Sequence, residues 1–393
     1  MRQAVLQIAC RAVTVVVILP LLWLIEPFWR LRFTHLWCAR FGPLAFNTHL
    51  WLGKLATEGA EQRTTRVFFG ARPANRQLFD MWKRVLPVVE SDWLSAFYHY
   101  AGPAASGTRF FKPLPQEFAN HRALRHQPVL SFNAEDEARG QRLLAEMGVG
   151  PGEWWVCFQA REALFHQQRG LGDSGSHRNC GIENYLPAAH AIAARGGWAL
   201  RMGATAERPL PETGERRIVD YAARHRSDFG DIYLLGNCRF LLCAGTGTES
   251  IPPLFDRPVA KANMMPLRPT PVGRNGLYIP KMIREIAVGT VLTYARCAEL
   301  GAYDYDDLAN TRRWEYPGNL EKIGLTAEEN HPDDILDLCR DMSDLLDGIA
   351  PPGDGAALQA LYKRRFFGHV RDVDDMPDIG ARFAVKYRHL IEA

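Results

Sequence analysis

The sequence predicts an α/β protein in which strands and helices alternate along the chain. Short apolar runs of the kind buried in parallel sheets occur at residues 198–202, 239–244 and 258–260, and Gly, Thr or Asn follows each run closely. Helix-like segments lie between the runs, as expected of βαβ units. Because ligands bind beyond the carboxyl ends of strands in such sheets, the polar residues after these runs are expected to face one crevice. They are Arg201, Thr246, Thr248, Glu249 and Asn263.

The start of the chain is strongly apolar. Residues 12–25 read AVTVVVILPLLWLI without a charge, a run shorter than the roughly 20 residues that cross a bilayer as a helix. Extending it to residue 4 places Arg11 inside. Arginines and tryptophans at both margins favour a segment lying in the membrane interface, with a spanning helix, a buried core helix and a signal peptide as alternatives. We assign residues 1–32 to a membrane-associated hydrophobic segment.

The remaining elements indicate where the domains divide. The predicted elements are a strand at 66–69, helices at 74–86 and 134–147, a strand at 154–158, and helices at 182–195 and 326–346. Residues 148–152, GVGPG, form a flexible break before the strand at 154–158. We therefore place the domain boundary there, which gives domains of residues 33–150 and 151–325. Residues 326–393 are assigned to a C-terminal helical region.

Composition supports a globular protein and excludes some classes of function. A length of 393 residues favours two domains, each large enough to bury a core. The net charge of +3 and the lack of an arginine-rich tract argue against a nucleic-acid partner. The eight cysteines show no zinc-site spacing, which indicates a reducing compartment. Among them, Cys157 and Cys243 are predicted to be small core residues.

A set of short sequence fragments resembles a known family. The fragments are R-F-G-P-L-A-F-N-T, A-N-R-Q-L-F-D-M-W-K-R, H-R-N-x-x-I-E-N-Y, R-M-G, V-D-Y-A, S-D-F-x-D-I-Y, G-T-G-T-E, L-F-D-R-P-V-x-x-N and E-N-H-P-D-D-I, and they extend over most of the chain beyond its first thirty residues. Together they resemble a family of bacterial glycosyltransferases associated with surface-polysaccharide loci. This resemblance implies a GT-B-like architecture, in which two Rossmann-like domains face a central cleft.

The resemblance also implies a function. It implies transfer of a sugar from a nucleotide-sugar donor to a lipid-linked or polysaccharide acceptor, at the cytoplasmic face of the bacterial inner membrane. Residues 33–150 would form the acceptor side and residues 151–325 the donor side, and the C-terminal helical region of residues 326–393 could pack back on the N-terminal domain. The chain departs from the family pattern twice: Gln159-Ala160-Arg161 stands where His-x-Arg is frequent, and His49 stands where an acidic residue is usual. These departures leave a second hypothesis open, a catalytically degenerate, membrane-tethered nucleotide-sugar-binding scaffold of a polysaccharide assembly complex.

The glycine-rich fragment is the main candidate for a phosphate site. Its residues are Gly245, Thr246, Gly247, Thr248 and Glu249. A loop that leaves a strand and opens a helix presents backbone N–H groups, and its glycines let phosphate oxygens approach closely. One alternative is a turn whose glycines only supply positive φ. A dinucleotide-binding fingerprint is disfavoured, because the fragment follows a late strand.

Arginines are the expected partners of such a phosphate. Breaking a sugar–diphosphate bond leaves concentrated negative charge on the departing nucleotide, which fixed guanidinium groups stabilise without a metal ion. Arg161 and Arg178 are the catalytic candidates for this role, and Arg201 is a third candidate for binding the substrate. The alternative for each is a salt bridge.

Three further predictions concern polar residues elsewhere in the chain. Ser227 and Asp228 are expected either to cap a helix or to bind the donor. Asp304 and Asp306 have D-x-D spacing but lie in an acidic loop, so we predict no cofactor and no obligatory metal. His49, in a segment predicted as a loop, is the candidate base for the acceptor hydroxyl, with a partly buried core histidine as the alternative.

Overall fold

The computed structural model describes residues 2–59, 63–105, 107–116, 120–125, 129–162, 176–203, 208–304, 314 and 318–393. The chain divides into two compact units, Met1–Glu117 and Phe118–Ala393. Each unit contains a parallel sheet with helices between its strands, which confirms the α/β class.

The first unit is built around three parallel strands in the order β1-β2-β3. Its elements are α1 Arg2–Val13, a π-helical turn Thr14–Ile18, α2 Leu19–Ile25, β1 Arg30–His35, α3 Phe41–Glu58, β2 Thr64–Gly70, α4 Arg76–Val85, β3 Val88–Glu90 and α5 Asp92–Ala105. The segment around His49 is therefore a helix, and its prediction as a loop is wrong. Pro43 does not prevent this helix because it lies in the first turn, where a backbone N–H has no helical partner.

The apolar segment ends before residue 32, so its predicted boundary is also wrong. A boundary there cuts through β1, which begins at Arg30. The Arg32 guanidinium is 1% exposed and donates to both carboxylate oxygens of Glu26, each at 3.0 Å. These hydrogen bonds hold the pKa of Glu26 below its ordinary value. This pair joins the end of the apolar helix to the sheet of the first unit.

In the second unit, the described strands form a seven-stranded sheet of order β12-β9-β8-β7-β4-β5-β6. The strands are β4 Trp155–Gln159, β5 Trp198–Arg201, β6 Ile218–Val219, β7 Leu241–Cys243, β8 Val259–Met264, β9 Leu277–Pro280 and β12 Asp378–Ile379, with β10 Met282–Glu285 and β11 Leu325–Glu328 forming a separate antiparallel pair. All neighbours in the large sheet are parallel. The order reverses between β4 and β7, the place where doubly wound sheets open a crevice for ligands.

The helices of the second unit complete the two faces of its sheet. They are α6 Ala134–Glu146, α7 Leu186–Ala194, α8 Tyr221–Arg224, α9 Asp228–Asn237, α10 Tyr294–Glu299, α11 Pro332–Leu346, α12 Gly355–Phe367, α13 Ala381–Lys386 and α14 Arg388–Glu392. Cys157 and Cys243 are fully buried in central strands, as predicted. Helix α11 starts later than predicted because Leu325–Glu328 pairs as β11 and His331 caps the helix before Pro332.

The second unit begins before the predicted boundary at residue 150. Helix α6 packs against α9, because Gly140 in α6 leaves room for the ring of Tyr233 in α9. The Tyr233 hydroxyl donates to Glu137 at 2.9 Å, which ties the two helices together. Likewise, β12 pairs with β9, so the C-terminal region supplies an edge strand to this sheet in addition to helices. Residues 134–146 and 378–379 therefore belong to the second unit.

Replacing Gly140 by alanine is expected to destabilise the protein. Helix propensity alone favours alanine by about 1 kcal/mol. A Cβ at this position would lie 1.9 Å from Cζ of Tyr233, whose ring is stacked on Phe229 with a centroid distance of 5.4 Å. Since that ring cannot easily retreat, overpacking should outweigh propensity and lower the free energy of unfolding by about 1–3 kcal/mol.

Denaturant unfolding of Gly140→Ala, compared with that of Ala138→Gly, measures whether overpacking outweighs helix propensity. Ala138 is exposed on the same helix, so its replacement reports propensity without packing and should cost about 1 kcal/mol. A Gly140→Ala protein more stable than the parent would contradict the contact between α6 and α9.

Candidate active site

The crevice at the reversal of strand order is formed by the segments that follow β4 and β7. Thr248 donates a short hydrogen bond to the Gln159 side chain, and Thr246 and Thr248 are linked through their hydroxyls at 2.6 Å. Arg161 Nη1 donates to the carbonyl oxygen of Gly245 at 3.4 Å. The structure thus brings together the ends of two central strands, where the sequence places its glycine-rich fragment and Arg161.

The sequence predicts that the glycine-rich segment opens a helix. No α-helix begins there, so this prediction is wrong. It continues as two short 3₁₀ turns, Gly247–Ser250 and Pro252–Phe255. Pro252 and Pro253 lack the backbone N–H groups that an α-helix at this place would use. Within the described residues, neither Gly245 nor Gly247 has a positive φ, so a left-handed turn does not explain these glycines. Gly245 lies beside two charged side chains: a Cβ there would be in ordinary contact with Arg178, 3.4 Å from Cδ, and with Glu249, 4.0 Å from Oε2.

Cationic side chains gather beside Gly245. Arg161 is 9% exposed, and burial together with the nearby Arg178 guanidinium lowers the pKa of Arg161 to about 10. Burial, with Arg178, Lys281 and Arg161 nearby, lowers the pKa of His177 to about 3, so this imidazole is neutral at pH 7. Lys281 follows β9 directly, and its ammonium donates to the carbonyl of Asn179 at 3.1 Å. The cluster concentrates positive charge, which Glu249 offsets in part at Arg161 and which an anionic ligand would offset further.

Next to this cluster lies a buried acid–base pair. Lys261, 2% exposed within β8, donates to Glu249 Oε1 at 2.9 Å and to the Thr270 hydroxyl at 2.6 Å. Glu249 Oε2 is buried and has no hydrogen-bond partner among the described residues. The carboxylate of Glu249 is thus held by one oxygen, and its other oxygen lies near Gly245.

Arg201 occupies a separate buried ion cluster. It is 2% exposed and donates to Glu162 at 2.8 Å and to Asp220 at 3.2 Å. It also donates to the carbonyl oxygen of Arg208 at 2.7 Å. Two carboxylates therefore balance its charge, which is the salt-bridge alternative considered from the sequence.

Ser227 and Asp228 lie at the start of α9. The Ser227 hydroxyl accepts a hydrogen bond from the backbone N–H of Gly230 at 3.0 Å, so Ser227 is the N-cap of this helix. The Tyr221 hydroxyl donates to the Ser227 carbonyl and to Asp231, and burial raises the pKa of Asp231 to about 6. The structure therefore uses Ser227 as a cap, and Tyr221 is a core residue.

Asn263 is held by Asn330, which belongs to the late E-N-H-P-D-D-I fragment. Each backbone N–H donates to the other's side-chain oxygen, at 2.6 and 2.7 Å. Glu329, in the same fragment, accepts hydrogen bonds from the backbone of Gly181 and from the side chain of Asn184. Fragments distant in sequence, including H-R-N-x-x-I-E-N-Y and L-F-D-R-P-V-x-x-N, thus meet at one edge of the sheet.

The remaining predicted residues lie elsewhere. His49 is 1% exposed within α3 of the first unit, which favours the core alternative over a base reached by solvent. Asp304 is exposed, and Asp306 lies outside the described residues. No group of three or more His, Cys, Asp or Glu side chains in the described part of the chain is arranged to hold a metal ion.

Sequence reasoning missed three charged or titratable residues of the crevice, Lys261, Lys281 and His177. Lys261 stands in the otherwise uncharged strand VAKANM, and a charge within a buried strand is a usable signal. Lys281 could have been found by its place directly after β9. His177 begins the fragment H-R-N, in which the arginine alone suggested a partner for phosphate.

Comparisons with known proteins give structural similarity alone. No protein-family model and no curated protein matches the sequence. ADP-heptose lipopolysaccharide heptosyltransferase II of E. coli is similar with a TM-score of 0.44 and 11% identity, over 63% of this chain and 90% of that one. A family 9 glycosyl transferase of Veillonella parvula has a TM-score of 0.42 and 9% identity, over 71% and 91%. The E. coli heptosyltransferase WaaC with ADP has a TM-score of 0.30 and 12% identity, over 64% and 91%.

Proposed function

We propose that this protein is a GT-B-type glycosyltransferase of cell-surface glycan biosynthesis. It transfers a sugar from a nucleotide-sugar donor to a lipid-linked or polysaccharide acceptor at the cytoplasmic face of the bacterial inner membrane. The observation that carries the proposal is the cationic cluster of Arg161, Arg178 and Lys281 around His177, in which Arg161 and Arg178 also lie beside Gly245 at the reversal of strand order. The family resemblance of the fragments that meet around this crevice supports it.

The proposed chemistry uses this cluster to stabilise the leaving group. The bond between the anomeric carbon and the diphosphate oxygen breaks while the acceptor oxygen bonds to that carbon. The departing nucleoside diphosphate keeps the electron pair, and Arg161 and Arg178 offer planar donors that match its phosphate oxygens. The acceptor proton leaves to a base that we do not assign, since His49 is buried.

Transfer activity is expected to survive chelation of divalent cations. Guanidinium and ammonium groups neutralise the diphosphate in this proposal, so no metal is needed to hold it. Labelled-sugar transfer from a nucleotide sugar, measured with and without EDTA, tests this. Complete loss of transfer, restored by manganese or magnesium, would point to carboxylates such as Asp304 and contradict a metal-independent reaction.

The same assay separates catalysis from binding alone. A nucleotide-sugar-binding scaffold would be stabilised by the donor yet would neither transfer nor hydrolyse it. Donor hydrolysis above the uncatalysed rate in the purified protein supports the transferase. Donor binding without any turnover would support the scaffold.

A further inference from the structure

The N-terminal apolar helix is packed along one face against the first unit. From Ala4 to Ile25 it is long and apolar enough to cross a membrane, with a mean hydropathy of 2.4 over its best window. Its less exposed residues recur at helical spacing: Gln7, Cys10, Thr14, Ile18, Leu19, Leu22, Ile25 and Glu26. Leu22 joins a buried cluster with Ala105, Phe110 and Phe111. The helix is therefore a fixed part of the first unit along its length.

The other faces of this helix carry exposed apolar side chains. Val16 and Leu24 are each 72% exposed, and Phe28, just beyond the helix, is 90% exposed. Helix α5 packs beside α1 and adds Trp93, which is 71% exposed and stacks on Phe97. So large an apolar surface, on every face of the helix except the packed one, requires a cover.

Polar groups on the packed side are incompatible with a bilayer interior. Arg11 is exposed near the middle of the helix, and its Nε donates to the carbonyl of Tyr100 in α5 at 3.5 Å. Helix α5 also exposes Asp92 and His99. If the apolar helix crossed the bilayer, α5 would enter the hydrocarbon with it, together with these charged and polar groups. If only the outward face of the helix is buried in the bilayer, the charged and polar groups of α5 stay out of the hydrocarbon.

We propose that the apolar helix lies in the plane of one leaflet, as a monotopic attachment of the whole first unit, with Phe28 and Trp93 inserting beside it. The surface that it binds is a bilayer with anionic headgroups, because Arg30, just beyond the helix, and Arg40 are exposed on the same unit. Of the two membrane alternatives left open by the sequence, an interfacial segment and a spanning helix, this is the interfacial segment. The residues behind this proposal all lie in the first unit, so it does not depend on the proposed transfer reaction.

Accessibility of the two helix ends tests the orientation. Ala4→Cys and Arg30→Cys are introduced separately into the full-length protein with Cys10→Ser; the seven other cysteines are buried. Arg30 is exposed just beyond the helix and is not among the side chains proposed to insert. Each variant is exposed to a membrane-impermeant maleimide in spheroplasts and in inside-out membrane vesicles. We expect both positions to react in inside-out vesicles and neither in spheroplasts. Reaction of Ala4→Cys in spheroplasts, with Arg30→Cys reacting only in inside-out vesicles, would establish a spanning helix and overturn the proposal.

Flotation of the purified protein with vesicles tests the contribution of α5. Trp93→Ser should weaken binding to vesicles of phosphatidylethanolamine and phosphatidylglycerol by about tenfold, as expected for one large aromatic side chain. Ile286→Ser, which alters a residue 53% exposed in the second unit, should change nothing. Equal binding by Trp93→Ser and the parent would overturn the role of Trp93. The parent protein could instead fail to bind the vesicles and form a dimer that Val16→Glu disrupts. That result would show that a second copy covers the apolar face.

Discussion

Arg178→Ala is expected to lower transferase turnover by about 10²–10³, the usual cost of removing one preorganised donor from a developing anion. Arg178 lies against Gly245, and its charge lowers the pKa of both Arg161 and His177, so its guanidinium is within electrostatic reach of the whole cluster. Arg178→Lys keeps the charge but loses the planar fork, and its loss of turnover should be smaller. Labelled-sugar transfer at saturating donor measures both variants.

Folding of these variants must be shown independently. The side chain of Arg178 is only partly buried, so its removal should change the free energy of unfolding by less than about 1 kcal/mol. Arg296→Ala is the matched control, because Arg296 pairs with Glu299 on the surface, with both side chains more than half exposed. We expect it to retain parental turnover and stability. Parental turnover in Arg178→Ala would remove Arg178 from the reaction.

Arg201→Leu is expected to lower the free energy of unfolding by about 3–5 kcal/mol, because it leaves buried carboxylates without their counter-charge. Asp220 and Glu162 both lie against this guanidinium, with their side chains 5% and 14% exposed.

Denaturant unfolding measures this effect, with Arg296→Leu as the surface control. The control should stay within about 1 kcal/mol of the parent. The outcome also decides the role of Arg201. If Arg201→Leu were as stable as the parent and failed only to bind donor, the substrate-binding role predicted from sequence would be right, and the buried ion cluster would not be what Arg201 stabilises.

The alternation of strands and helices could be predicted because it depends on local sequence patterns. Strands β4, β5, β7 and β8 are uninterrupted buried runs, and Asn133 with Asp136 forms the capping box that begins α6. The boundary between the units could not be predicted in this way. The Gly-rich segment at 148–152 is a tight connection within the second unit, and the contact of Gly140 with Tyr233 joins residues 93 positions apart.

The candidate site was predictable in part for the same reason. Strand ends indicate which residues share an edge of the sheet, so Arg161 and the segment from Gly245 could be placed together. They do not indicate which charges are already balanced. In sequence Arg201 looks like a ligand-binding arginine at a strand end, yet in the structure it meets Glu162 and Asp220, two carboxylates that lie outside its own strand.

The central claim is that the crevice beside Gly245 binds the diphosphate of a nucleotide sugar, and a thermal-shift screen tests it most directly. A panel of nucleotide sugars is added to the parent, to Arg178→Ala and to Arg296→Ala. A donor at about 100 times its Kd stabilises the folded state by about 2.7 kcal/mol. We predict that at least one donor raises the Tm of the parent and of Arg296→Ala by several degrees and raises that of Arg178→Ala far less. A panel in which no donor stabilises the parent, or in which Arg178→Ala responds like the parent, would contradict the account.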